Sequence, residues 1–118
     1  LSVAEPIFAR RIFRGAAIYG VLVLVPLYLV PAPPVRPDSY YGFLGCALVF
    51  QSLFWIIGGD PRKYRALMLP SVAEKLVYVV PALLLFVRGS APAFVVPFAL
   101  IDLLLGIGFL IARSRTRA

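Results

Sequence analysis

Three charged residues interrupt apolar sequence, and chemistry could occur there. Glu74 and Lys75 stand side by side at the head of SVAEKLVYVVPALLLF, and Asp102 breaks FALIDLLLGIGF. Ser71-x-x-Glu74 has the spacing of a capping box. In that motif the Ser71 hydroxyl accepts from the backbone N–H of Glu74, and the Glu74 carboxylate reaches back to the N–H of Ser71. The carboxylate would also sit at the positive end of the helix dipole, near Arg62 and Arg65. Ser71 and Glu74 are therefore expected to cap a helix, and Lys75 to extend its ammonium toward lipid headgroups. Asp102 resists so plain a role. It lies about ten residues from either end of its apolar run, roughly 15 Å from each surface of a bilayer. A carboxylate at that depth costs about 2.5–3.5 kcal/mol on insertion scales, so it should face protein.

The polar residues able to meet Asp102 are Tyr78, one turn beyond Glu74, and Gln51, about 9 Å inside the preceding apolar run. Asp102, Tyr78 and Gln51 are thus expected to form an intramembrane polar cluster. Its role is a hydrogen-bonded core, a proton or ligand site, or a contact with another subunit. The helical stripe Phe98, Ala99, Asp102, Leu105, Gly106, Phe109 carries small residues that admit a neighbouring helix. Little else suggests catalysis. Histidine is absent, which removes the commonest general base and metal ligand, and Cys46 is the single cysteine. No nucleophile has an adjacent base, so an enzyme is disfavoured, and neither a metal nor a cofactor is indicated.

The elements that would position these residues follow from composition. Of 118 residues, 62% are hydrophobic and 14% charged, against about 45–50% and about 25% in soluble domains. The excess apolar surface calls for lipid. The net charge of +7 is gathered in short clusters between apolar runs, with no aromatic-studded basic groove, which argues against nucleic acid. Four apolar segments are each near the length that crosses a bilayer as a helix. The expected fold is all-α, a four-helix transmembrane bundle with antiparallel up-down topology in one domain, 1–118. Its spans are placed at about 14–31, 40–58, 71–88 and 91–112, with a basic tail at 113–118. Arg10, Arg11, Arg14, Arg62, Lys63, Arg65, Arg113, Arg115 and Arg117 fall on one side, and only Arg36 and Arg88 on the other. Both termini are therefore expected in the cytoplasm.

The connections also have readable chemistry. Gly58 and Gly59 stop the second helix, and Asp60-Pro61 suits a helix start. A short interfacial helix over 61–68, with Tyr64, Leu67 and Met68 toward lipid, is expected between the second and third spans. Arg62, Lys63, Arg65, Arg113, Arg115 and Arg117 are expected to meet anionic headgroups, the last three from a disordered tail. Pro81 and Pro97 would bend their helices by freeing the carbonyls of Val77 and Ala93. Trp55 reads as an interfacial anchor. The start LSVAEPIFARRIFRG has basic residues ahead of an apolar run, as a signal peptide would. That run is too long for one, and no small-residue cleavage site follows. The chain opens on Leu1 rather than methionine, and residues upstream of it are expected.

The basic N-terminus, YYGFLGCALVFQSLFWII, the connection DPRKYRALMLPSVAEKLVY, and an Asp followed by glycines in the last segment together resemble small four-helix bacterial membrane proteins of the DoxX-like kind. The likeness runs from Arg10 to Ala112. It implies the fold and the bacterial inner membrane, and carries over no catalytic residue. Function is expected first to be that of an accessory or structural subunit packing against other membrane protein subunits. The alternative is a binder or carrier of a hydrophobic small molecule, a quinone or lipid, in a cavity near Asp102 and Tyr78.

Overall fold

A computed structural model describes residues 6–116. Its α-helices are α1 (Ile7–Leu27), α2 (Pro37–Gly59), α3 (Met68–Val87) and α4 (Val95–Arg115), with a 3₁₀ turn at Arg65–Leu67 leading into α3. The architecture is an all-α bundle. The helix ends have local causes. α2 starts with Pro37 at its first position and Asp38 in its first turn, where a missing N–H and a negative charge are both favourable. Arg36 before it takes the left-handed conformation, φ 57°, and its guanidinium pairs with both Asp38 oxygens at 3.1 and 3.0 Å. α3 ends in a Schellman motif. The N–H of Ser90 donates to Leu85 O at 2.8 Å, and that of Gly89 to Phe86 O at 2.9 Å. Gly89 has φ +76°, which the motif requires and a side chain opposes. Gly89→Ala should cost about 1 kcal/mol in detergent unfolding; an unchanged midpoint would remove the motif from the account of this turn.

Several boundaries differ from expectation. α1 begins well before residue 14 and includes the arginines. It stops at Leu27, so Tyr28–Val30 do not extend it. From Gly15 onward its apolar part rises only about 20 Å. The other three helices, with α3 counted from Arg65, are long and apolar enough to cross a membrane. The surface helix expected over 61–68 is instead a turn and one 3₁₀ turn. Asp60 does start that turn, accepting from the N–H of Lys63 at 3.4 Å. Met68 is fully buried, and Tyr64 and Leu67 pack on the same core. They face protein because the 3₁₀ turn runs straight into α3 and closes the end of the bundle. Pro97 lies in the first turn of α4, where no intrahelical donor is needed. Ala93 O there accepts from Val96 N at 3.1 Å, so of these two prolines Pro81 alone sits within its helix body as expected. The tail is also shorter than expected: Arg113 and Arg115 belong to α4. Arg117 lies outside the described residues.

Packing is uneven along the bundle. α1 lies closely on α2 and α3 on α4, while α1 and α4 meet less and α2 and α3 hardly touch. At the basic end all four helices share one core. Phe13 stacks on Phe109 with ring centroids 4.1 Å apart, and Phe54 lies 5.0 Å from Phe109. Ala9, Ala16, Ile57, Met68, Val72 and Ala112 fill the space around these rings. Arginines tie this end together. Arg10 donates to Gly59 O at 2.8 Å, satisfying the last carbonyl of α2, and Arg14 donates to Trp55 O, one turn earlier, at 2.9 Å. The Arg14 guanidinium lies 3.8 Å over the Trp55 ring. Arg65 donates to Arg113 O and Thr116 O at the end of α4, so its guanidinium holds protein rather than standing free for headgroups. Gly58 does more than stop a helix. A Cβ there would lie 2.6 Å from Arg14 Cγ and 3.2 Å from Arg10 O. Gly58→Ala should therefore force α1 and α2 apart and cost about 1–3 kcal/mol; wild-type thermal stability in that variant would contradict the close approach.

Candidate ligand-binding cleft

Away from the aromatic core the two hairpins separate. The space between them is a cleft of about 910 Å³ walled by all four helices. Its upper walls are apolar and include Leu24 and Leu27 of α1, Phe43 of α2, Leu85 of α3 and Phe98 of α4. Tyr19, Gln51, Glu74, Lys75, Tyr78 and Asp102 also line it, so the polar residues from separate segments do share one site. The rings of Phe43 and Tyr78 stand 6.3 Å apart across the gap between α2 and α3.

At the centre of the polar group is Lys75, which sequence reasoning assigned to the headgroups. Its side chain is 5% exposed, and its Nζ lies 3.5 Å from Asp102 Oδ1 and 3.5 Å from Glu74 Oε1. The direction of the side chain follows from helix packing. A Cβ on Gly106 would lie 3.4 Å from Lys75 Cβ, so the lysine stem starts opposite Gly106. Asp102 is one turn nearer the start of α4, and in an antiparallel pair that is farther along α3. The ammonium therefore points into the bundle, away from the end where α3 begins, which is the reverse of snorkelling. The Phe54 ring, 5.1 Å from Nζ, adds a cation–π contact.

The other expected roles change with it. Asp102 faces protein, with 19% of its side chain exposed, and its ionic partner is Lys75 rather than Tyr78 or Gln51. Gln51 is turned toward α1. Its Nε2 donates to Ala47 O at 2.8 Å, and its Oε1 has no hydrogen-bond partner. That oxygen lies where a Cβ on Gly20 would be, so glycine at 20 makes room for the glutamine. Ser71 and Glu74 do not cap α3. The helix starts at Met68, three residues earlier, with no side-chain cap. The Ser71 hydroxyl donates to Leu67 O at 2.8 Å, an i to i−4 bond inside the helix. Glu74, displaced from the helix start, turns to Lys75.

The arrangement can neutralise and orient a polar group at the bottom of an apolar slot. One ammonium and two carboxylates share a water-poor space, where their interactions are stronger than in water. The volume is that of sites for drug-sized molecules, and an apolar wall with few convergent polar groups is their usual composition. Fold and apolar helices together define a small α-helical membrane protein. No family model, curated protein or solved structure matches the chain.

Proposed function

We propose that this protein binds a hydrophobic small molecule with a polar head, of the lipid or quinone type, in the cleft between its two hairpins. The observation that carries the reading is the cleft itself. Its apolar walls end at a buried lysine held between two carboxylates, which suits a molecule with a greasy body and one polar end. The reading also takes the bilayer as solvent for all four helices. Each turns a large apolar side chain away from the cleft: Val25, Val49, Val80 and Leu104 are 46–68% exposed and do not line it. The bacterial inner membrane is part of the proposal and rests on the DoxX-like resemblance.

The sparse contact of α2 with α3 favours a second reading, that of an accessory subunit whose cleft receives a helix from another membrane protein. One comparison separates the two. Cys46 lines the cleft and is exposed, so Cys46→Trp narrows the space without entering the aromatic core. Small molecules co-extracted with the native chain in mild detergent should be lost from this variant. Loss of a protein partner, with no small molecule bound to either form, would favour the second reading.

Both termini are proposed to lie in the cytoplasm, because the basic residues gather at one end. In a Cys46→Ser background, single cysteines at Val35 and Gly89 should react with an impermeant maleimide added outside, and those at Lys63 and Ser114 should not. Labelling at Lys63 from outside would reverse the topology.

A further inference from the structure

The charges around the cleft do not balance. Two carboxylates, Glu74 and Asp102, face one ammonium, Lys75. Among the described residues the lining includes no second Lys or Arg. A second observation points the same way. Gln51, 3% exposed, lines the cleft with an Oε1 that has no hydrogen-bond partner. With both carboxylates ionised the site has one negative charge more than it has positive ones, together with an unsatisfied acceptor on Gln51. An uncompensated charge in so apolar a space is costly, and a cation or a strong donor relieves the cost.

We infer that the ligand's polar head is a cationic amine, seated against Glu74 and Asp102 beside Lys75, with its hydrocarbon body along the apolar walls. This rests on the reading of the cleft as a small-molecule site and names the class of head it takes. An anionic head would meet two carboxylates. A neutral alcohol would satisfy an acceptor but leave the excess charge in place. The aromatic rings of Tyr78, Phe43 and Phe50, all on the lining, are surfaces that a cation also favours.

The charge count makes a demanding prediction. Neutralising either carboxylate leaves one ammonium facing one carboxylate, so each single variant should abolish amine selectivity, whichever oxygen the amine touches. The test uses the full chain in nanodiscs, with protein-free nanodiscs as background. Saturable binding of radiolabelled decylamine, decanol and decanoate is measured at neutral pH. Decylamine should bind about tenfold more tightly than decanol, with decanoate weakest. In Glu74→Gln and in Asp102→Asn, each checked for a wild-type helical spectrum, the amine and the alcohol should bind alike. Equal affinity for amine and alcohol in the native chain, or preference for decanoate, would overturn the amine head while leaving the cleft as a binding site. Amine selectivity that persists in both variants would also overturn it. No saturable binding of any of the three would overturn the cleft reading and this inference with it.

Discussion

Lys75→Met is expected to be among the most destabilising single substitutions in this protein, at about 3–5 kcal/mol. Methionine matches the lysine stem in length and keeps the contact with Gly106, so packing changes little. What disappears is the charge between Glu74 and Asp102, each 3.5 Å from Nζ. Removing one partner of a buried ionic group leaves the others uncompensated, and that penalty exceeds the net worth of the pair itself. The same logic predicts rescue. A triple variant, Glu74→Gln with Lys75→Met and Asp102→Asn, has no stranded charge and should recover most of the loss. Denaturant unfolding in detergent, followed by helical circular dichroism, measures both. A Lys75→Met protein as stable as the native chain would mean that the ammonium is solvated at a surface, as the sequence alone suggested.

Phe109→Ala should produce the second large loss, about 3 kcal/mol. Phe109 is fully buried and stacks on Phe13 at 4.1 Å, with Phe54 at 5.0 Å. Lipid tails can replace many contacts at an outer face, but they cannot enter this core. The cavity left by the ring therefore loses dispersion contacts outright. Leu104→Ala on the same helix is the control. Leu104 is 67% exposed, and its truncation should change stability by no more than about 0.5 kcal/mol. Similar losses at the two positions would show that the rings do not form the shared core of the four helices.

The helical class was readable because composition and segment length leave few alternatives for so apolar a chain. Gly58 and Gly59 at the end of α2 were equally plain. The start of α3 was misread because Ser71-x-x-Glu74 satisfies a local rule while the 3₁₀ turn before it already continues into helix. Local capping chemistry could not reveal that Met68, with no side chain exposed, closes the core from that connection. Asp102 announced itself by depth, yet its partner was missed. The signal for Lys75 was present in the spacing. Met68, Ser71, Val72, Lys75, Val79 and Ala82 recur at three- and four-residue intervals, and they are the buried face of α3. A lysine on that stripe should have been assigned to the interior. The polar floor of the cleft was legible at Asp102 and Tyr78, but its apolar volume had no sequence signal of its own. It arises from the unequal packing of α2 on α3, a tertiary property that neither periodicity nor charge placement encodes.

Occupancy of the cleft by a small molecule can be read directly in cells. The most direct measurement places a photo-crosslinking benzophenone side chain at position 78, on the cleft wall, and separately at position 104, on the outer face of α4. Cells are irradiated before extraction, and the intact mass of the chain is read. Position 78 should gain a discrete adduct on the order of a few hundred daltons, the size that a cleft of this volume accommodates. Position 104 should give only the heterogeneous adducts of bulk lipid. A crosslink from position 78 to another polypeptide, or the same lipid mixture at both positions, would contradict that occupancy.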